Sequence, residues 1–160
     1  MSVIISDTTP LNYLILIGQS DVLERLFGRL LVPPAVIKEM LHPKAPAQVA
    51  AWAANLPPWI EVRSPHIDLR LGIGPGEDAA ISLAVELGDA TLLMDDLKAR
   101  AAARARGFIT IGTITILDRA DEAKLLDFET SISRLRATTF HLDEALVQTV
   151  IARARARNNA

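Results

Sequence analysis

Thr91-Leu92-Leu93-Met94-Asp95-Asp96 is the stretch on which the fold turns. Its first four residues read as a short buried strand. Two adjacent carboxylates follow where that strand should end. The same grammar opens the chain, where Ser2-Val3-Ile4-Ile5-Ser6 runs into Asp7. Two such strands in one sheet would bring their terminal acids to a common edge.

Outward from this stretch, apolar strand-like segments alternate with helical ones. Short strands are expected at about 3–6, 30–32, 60–63, 91–94 and 108–111. Helices are expected from Pro10 through Leu16, after a Ser20 cap to Phe27, over Ala35–Leu41, from Pro46 to Asn55, over Glu77–Leu87, over Leu97–Arg106 and from a Thr113 cap onward. Gly28, Gly88 and Gly107 follow helices where a left-handed residue is wanted. Beyond that the chain reads as helices over 128–136 and 143–157, with the last residues frayed. This pattern predicts an α/β fold, with a parallel sheet of about four or five strands flanked by helices and a helical C-terminus. One domain over 1–160 is expected, with 125–157 as a C-terminal helical extension.

Composition agrees with that reading. Of the 160 residues 50% are apolar and 22% charged, which fits a packed core and excludes a disordered chain. No apolar run reaches the roughly 20 residues of a membrane helix. The N-terminus has no basic segment or small-residue cleavage site, so no secretion signal is read and a cytoplasmic location is expected. With no cysteine there is no disulfide framework, thiolate nucleophile or thiolate metal site.

In a parallel sheet, ligand sites form beyond the carboxyl ends of the strands. Asp7, Asp95 and Asp96 all fall there. Two helical acids can join them by phase. Glu77 begins the row Ala80, Ile81, Ala84, Leu87, which is the apolar stripe of its helix, with Asp78 on the flank. Glu39 shares a row with Ala35 and Val36. A carboxylate beside an apolar face needs a cation or strong donors. Oxygen-only ligands without His or Cys at ligand spacing favour Mg²⁺ or Mn²⁺ over Zn²⁺. Each acid also has an ordinary structural use: Asp7 in an Asx turn, one of Asp95 and Asp96 as a helix cap, Glu77 and Asp78 as first-turn charges, Glu39 as a surface glutamate. The signal lies in their combination.

These residues resemble the PIN-domain ribonucleases, in particular the prokaryotic branch associated with toxin–antitoxin modules. The resemblance begins at Ile4-Ile5-Ser6-Asp7-Thr8-Thr9, with Asn12 a turn later, and continues through Val32-Pro33-Pro34-Ala35-Val36-Ile37-Lys38-Glu39. It extends through Gly74-Pro75-Gly76-Glu77-Asp78 and Leu92-Leu93-Met94-Asp95-Asp96-Leu97-Lys98-Ala99-Arg100, covering about residues 3–120. Glu77 stands where much of the wider family has Asp, and Met94 where many members have Thr or Ser.

The resemblance implies a Mg²⁺- or Mn²⁺-dependent endoribonuclease, the toxin of a toxin–antitoxin pair. Asp7, Glu39, Glu77 and Asp96 would be catalytic. Asp7, Asp96 and Glu77 would hold metal, with Asp95 auxiliary to Asp96. Thr8, Thr9, Asn12 and Arg100 would position RNA. An antitoxin protein and a homodimer are the implied partners, with the apolar helix Ala35–Leu41 and its alanine-rich successor as a groove.

Lys98, Arg100, Arg104 and Arg106, and the terminal Arg153, Arg155 and Arg157, could meet phosphates or be solvated faces. His42, His66 and His141 receive no role. A catalytically weak PIN-like module regulated by a partner is the alternative reading. A phospho-acceptor receiver domain would need a lysine ending a late strand, and Phe108-Ile109-Thr110-Ile111-Gly112 has none.

Overall fold

A computed structural model describes residues 2–159. Five strands, β1 (Val3–Ser6), β2 (Leu30–Val32), β3 (Ile60–Val62), β4 (Ala90–Leu93) and β5 (Ile109–Ile111), form one sheet in the order β3-β2-β1-β4-β5. Every pairing is parallel, so every carboxyl end lies along one edge. The chain leaves β1 toward β2 and β3, then returns to β4 on the other side of β1. The order therefore reverses between β1 and β4, and crevices open at such a point. Register pairs Ser6 with Leu93, and the Asp7 amide donates to the Leu93 carbonyl at 2.9 Å.

Successive strand residues face opposite sides, as the pleat requires. Leu30, Val32 and Leu93 join one apolar core; Ile5, Leu31, Leu92 and Met94 join the other. The first core is covered by α1 (Thr8–Leu16), α2 (Asp21–Phe27), α3 (Pro34–Met40), α4 (Ala47–Ala54), α7 (Thr113–Glu122), α8 (Phe128–Arg136) and α9 (Glu144–Asn158). The second lies under α5 (Pro75–Leu87) and α6 (Leu97–Ala105). Leu92, Leu93 and Met94 are fully buried, each contributing about 1.5–3 kcal/mol by leaving water.

Several boundaries differ from expectation for identifiable reasons. The first helix begins at Thr8, not Pro10, so Asp7 occupies its N-cap position and Pro10 lies inside the first turn. A proline there still costs no hydrogen bond, because first-turn amides have no helical partner. Ser20 stands at the N-cap of α2 without making a capping hydrogen bond. Gly112, not Thr113, occupies the N-cap of α7, because the Thr113 hydroxyl is engaged elsewhere. The edge strand, the glycine stop at Gly88 and the helix Phe128–Arg136 lie where the sequence puts them.

The expected groove on α3 and α4 is not an open apolar face. Val36 and Met40 of α3 and Val49 and Ala53 of α4 are core residues, leaving Leu41 as the large exposed apolar side chain just past α3. The terminal arginines are also committed. Arg157 donates to Asp118 at 3.0 Å and Asp121 at 2.8 Å, Arg153 pairs with Asp118 at 3.2 Å, and Arg155 pairs with Glu129 at 2.5 Å. Asp121 also accepts the Phe128 amide at 2.8 Å. These contacts bind α9 to α7 and α8. Among the described residues no helix is long and apolar enough to cross a membrane.

Candidate metal centre and cleft

Asp7 follows β1 directly and is 1% exposed. Among the described residues neither of its carboxylate oxygens has a hydrogen-bond partner. Such a group is costly to keep charged, and its pKa rises to about 8. Burial is the main cause, followed by the negative charge of Glu77 and, more weakly, of Glu39 and Asp95; the Thr8 backbone N–H opposes the rise without reaching hydrogen-bond geometry.

Glu39, the next-to-last residue of α3, is held from two sides. The Thr8 hydroxyl donates to its Oε2 at 2.5 Å and the Gly76 amide to its Oε1 at 3.0 Å. Gly76 is buried in the first turn of α5. A Cβ there would sit 2.8 Å from Glu39 Oε1 and 3.1 Å from Asp7 Oδ1. The two carboxylates thus face a space that exists because residue 76 has no side chain. Glu77 follows it. Burial raises its pKa, with Glu39, Asp96 and Asp78 adding to the rise and a backbone N–H opposing it.

The Asp95–Asp96 pair divides its work. Asp95 accepts the Thr113 amide at 2.8 Å on one oxygen and the Thr113 hydroxyl at 2.6 Å on the other. Burial still raises its pKa, against those two bonds and the nearby Arg100 charge. Asp96 is the N-cap of α6, accepting the Ala99 amide at 2.8 Å through Oδ1. Its Oδ2 makes no hydrogen bond among the described residues, and its side chain reaches solvent. Arg100 lies one turn on, and burial lowers its pKa, helped by Arg104. Met94 is fully buried in the core under α5 and α6 and offers no polar atom to the site.

A cleft of about 940 Å³ opens in front of this edge. Glu77, Asp95, Asp96, Arg100 and Thr9 line one part of it; Asp7, Glu39, Thr8 and Asn12 do not reach its lining. Another part is supplied by residues 139–144 and Leu146 with Tyr13 and Ile114. The sequence reading missed this wall, and left His141, which lines it, without a role. No local pattern marks the segment; only the packing of α9 brings it there.

Asp78 was read as a first-turn charge, and the structure gives it more. Its carboxylate accepts the amides of Leu71, Gly72 and Ile73 at 3.2, 3.3 and 3.4 Å. One turn later Ser82 accepts the Leu69 amide at 2.9 Å, and a further turn on Glu86 accepts the His66 amide at 2.6 Å. This i, i+4, i+8 row of α5 pins the loop that delivers Gly74 and Gly76 to the acids. The spacing was visible in the sequence, but not its target.

The donor set suits a hard divalent cation. It consists of oxygens alone, includes two unpartnered ones on a buried acid, and surrounds a space kept open by Gly76. Among the described residues no three acid or histidine side chains already stand at ligand spacing about one point.

No curated protein matches the chain. A family model described as "PIN domain" matches residues 3–156, a span that includes every acid above and the C-terminal wall. With that match over nearly its whole length, the chain belongs to the PIN-domain family.

Proposed function

We propose that this protein is a Mg²⁺- or Mn²⁺-dependent endoribonuclease. PIN domains are generally nucleases that use divalent metal, and that supports the reading at the level of the family. The observation that carries it to this chain is Asp7: a buried carboxylate with both oxygens unpartnered, facing Glu39 across the space above Gly76. A fold that discards two hydrogen bonds at a buried acid is built for a partner the polypeptide does not supply.

Asp7, Glu39, Glu77 and Asp96 would hold the ion. Bound there, it would neutralise a phosphodiester and lower the pKa of an attacking water. The chain's own groups fix the frame. Thr8 and the Gly76 amide orient Glu39, and Thr113 holds both oxygens of Asp95, leaving Asp96 as the acid of that pair with an uncommitted oxygen. Arg100 lines the cleft beside these acids and supplies the cation nearest a bound phosphate; Thr9 offers a hydroxyl in the same lining. Asn12 and Thr8 would act on substrate only from behind it.

The same reading makes the chain the toxin of a toxin–antitoxin pair, with an antitoxin protein and a homodimeric state as its partners. Co-purification with the product of an adjacent small gene and sedimentation of the purified chain test those parts. The nuclease itself is tested by manganese calorimetry and RNA cleavage on wild type, Asp7→Asn and Asp96→Asn. Loss of both heat and cleavage in Asp7→Asn, with the fold intact, is expected. Cleavage at the wild-type rate by that variant would overturn the assignment.

A further inference from the structure

The two walls of the cleft differ in kind. One carries the acids and Arg100; the other carries Phe140, Leu142 and Leu146. Aromatic residues are only 4% of the chain, yet two of them, Tyr13 and Phe140, line this cleft. Their rings pack edge to face, 5.0 Å between centroids and 76° between planes, and the Tyr13 hydroxyl and Thr139 Oγ1 are hydrogen-bonded at 2.8 Å. Tyr13 belongs to α1, the helix whose N-cap is Asp7, so the aromatic wall is fixed in position relative to the acids.

Each of the two acids on that wall has a partner within the protein. Both oxygens of Glu144 are paired with Arg136, and Asp143 caps α9 by accepting the Leu146 amide at 3.2 Å. Apolar surface is left uncovered beside it: Leu146 is 37% exposed, and Leu97, facing the same cleft, is 79% exposed. With a divalent ion on the acids beside Arg100, a ligand that satisfies both walls is flat and apolar at one end and anionic at the other.

We propose that residues 139–146 form a base-docking wall, on which Phe140, flanked by Leu142 and Leu146, takes an unstacked base adjacent to the phosphate that Arg100 and the acid-bound ion would hold. This rests on the nuclease reading and deepens it, because it selects single-stranded RNA. In an A-form duplex the bases are stacked on one another and their faces cannot reach a protein side chain.

The test uses a single-stranded RNA whose Mn²⁺-dependent cleavage site has been mapped. The same strand is prepared with one abasic ribose on either side of that site, and also annealed to its complement. Wild type should lose about tenfold in kcat/KM on one of the abasic strands, the usual worth of one stacked base. It should leave the duplex uncut. Phe140→Leu, which keeps apolar bulk but removes the ring, should lose the same factor on the intact strand and nothing further on that abasic strand.

If wild type cleaves intact and abasic strands equally, the wall does not take a base. The same holds if the losses from the variant and the missing base multiply, and the wall then serves another occupant, such as a partner protein's side chain. If wild type cleaves no RNA at all with Mn²⁺, the nuclease reading falls and the base wall with it. Should Phe140→Leu fail to fold, the abasic comparison in wild type decides alone.

Discussion

Metal-free protein should be more stable as Asp7→Asn than as wild type at neutral pH, and the difference should vanish in acid. In the unfolded chain Asp7 ionises with the ordinary pKa of 3.8, whereas in the fold its pKa is about 8. The folded pKa is the higher one, so the group favours folding below pH 3.8 and withdraws that support as pH rises toward 8. Each pH unit in that window removes about 1.4 kcal/mol, for at most roughly 4 kcal/mol by pH 7.

Asparagine removes the titration but leaves a buried amide short of partners, a cost of about 1–3 kcal/mol. The net gain at pH 7 should be roughly 1–3 kcal/mol, and near pH 4 wild type should be equal or better. Urea unfolding in EDTA at pH 4, 5.5 and 7 measures this directly. Adding Mn²⁺ should reverse the order at pH 7, because only wild type offers a carboxylate whose charged form the ion stabilises. A gap between the two proteins that does not change with pH in EDTA would refute the reasoning, since it would place the effect in packing and not in charge.

Two further outcomes follow from the contacts around the site and along α9. Gly76→Ala would place a methyl 2.8 Å from Glu39 Oε1 and 3.1 Å from Asp7 Oδ1, forcing the carboxylates to shift. Manganese affinity measured by calorimetry should fall by about tenfold or more, as when the supporting shell of a metal site is disturbed, while the far-UV dichroism is unchanged. Arg157→Met leaves Asp118 with Arg153 alone and the 3% exposed Asp121 without a cation among the described residues. Removing one member of such a pair should cost roughly 2 kcal/mol in urea unfolding, less than for a fully buried pair. It should leave the salt dependence of RNA binding unchanged, whereas a slope reduced by about one would mean that Arg157 binds a phosphate.

What could be read from the sequence was whatever depends on near neighbours. Strand β4 announces itself by a short run without a charged residue, and the glycines at 28, 88 and 107 mark helix ends because each adopts a positive φ. The division of Asp95 from Asp96 was foreseeable in outline, since a carboxylate immediately before a helix competes to cap it. That Asp95 would turn to Thr113 was not, because that contact crosses from β4 to the end of β5.

The arginines of α9 were ambiguous for the same reason. A basic row on a helix looks alike whether it meets RNA or a neighbouring helix, and Asp118, Asp121 and Glu129 lie 26 to 39 residues away along the chain. Asp78 shows the reverse failure. It was read only as a first-turn charge, because a loop with no regular pattern gave no hint that its amides would come to rest on Asp78, Ser82 and Glu86.

The Tyr13 junction has a bearing on how such a cleft could be governed. The first helix carries Asp7 at one end and, a turn and a half later, the ring that packs on Phe140 and the hydroxyl bonded to Thr139. One side of the opening is therefore tied to the first helix by that hydrogen bond and that ring contact, while Phe140 and Leu142 also pack against the core. The buried acid and the ring wall share one helix as their frame. A change at Tyr13 would therefore reach the mouth of the cleft without touching an acid, so access and chemistry in this molecule can be set by different side chains of one element.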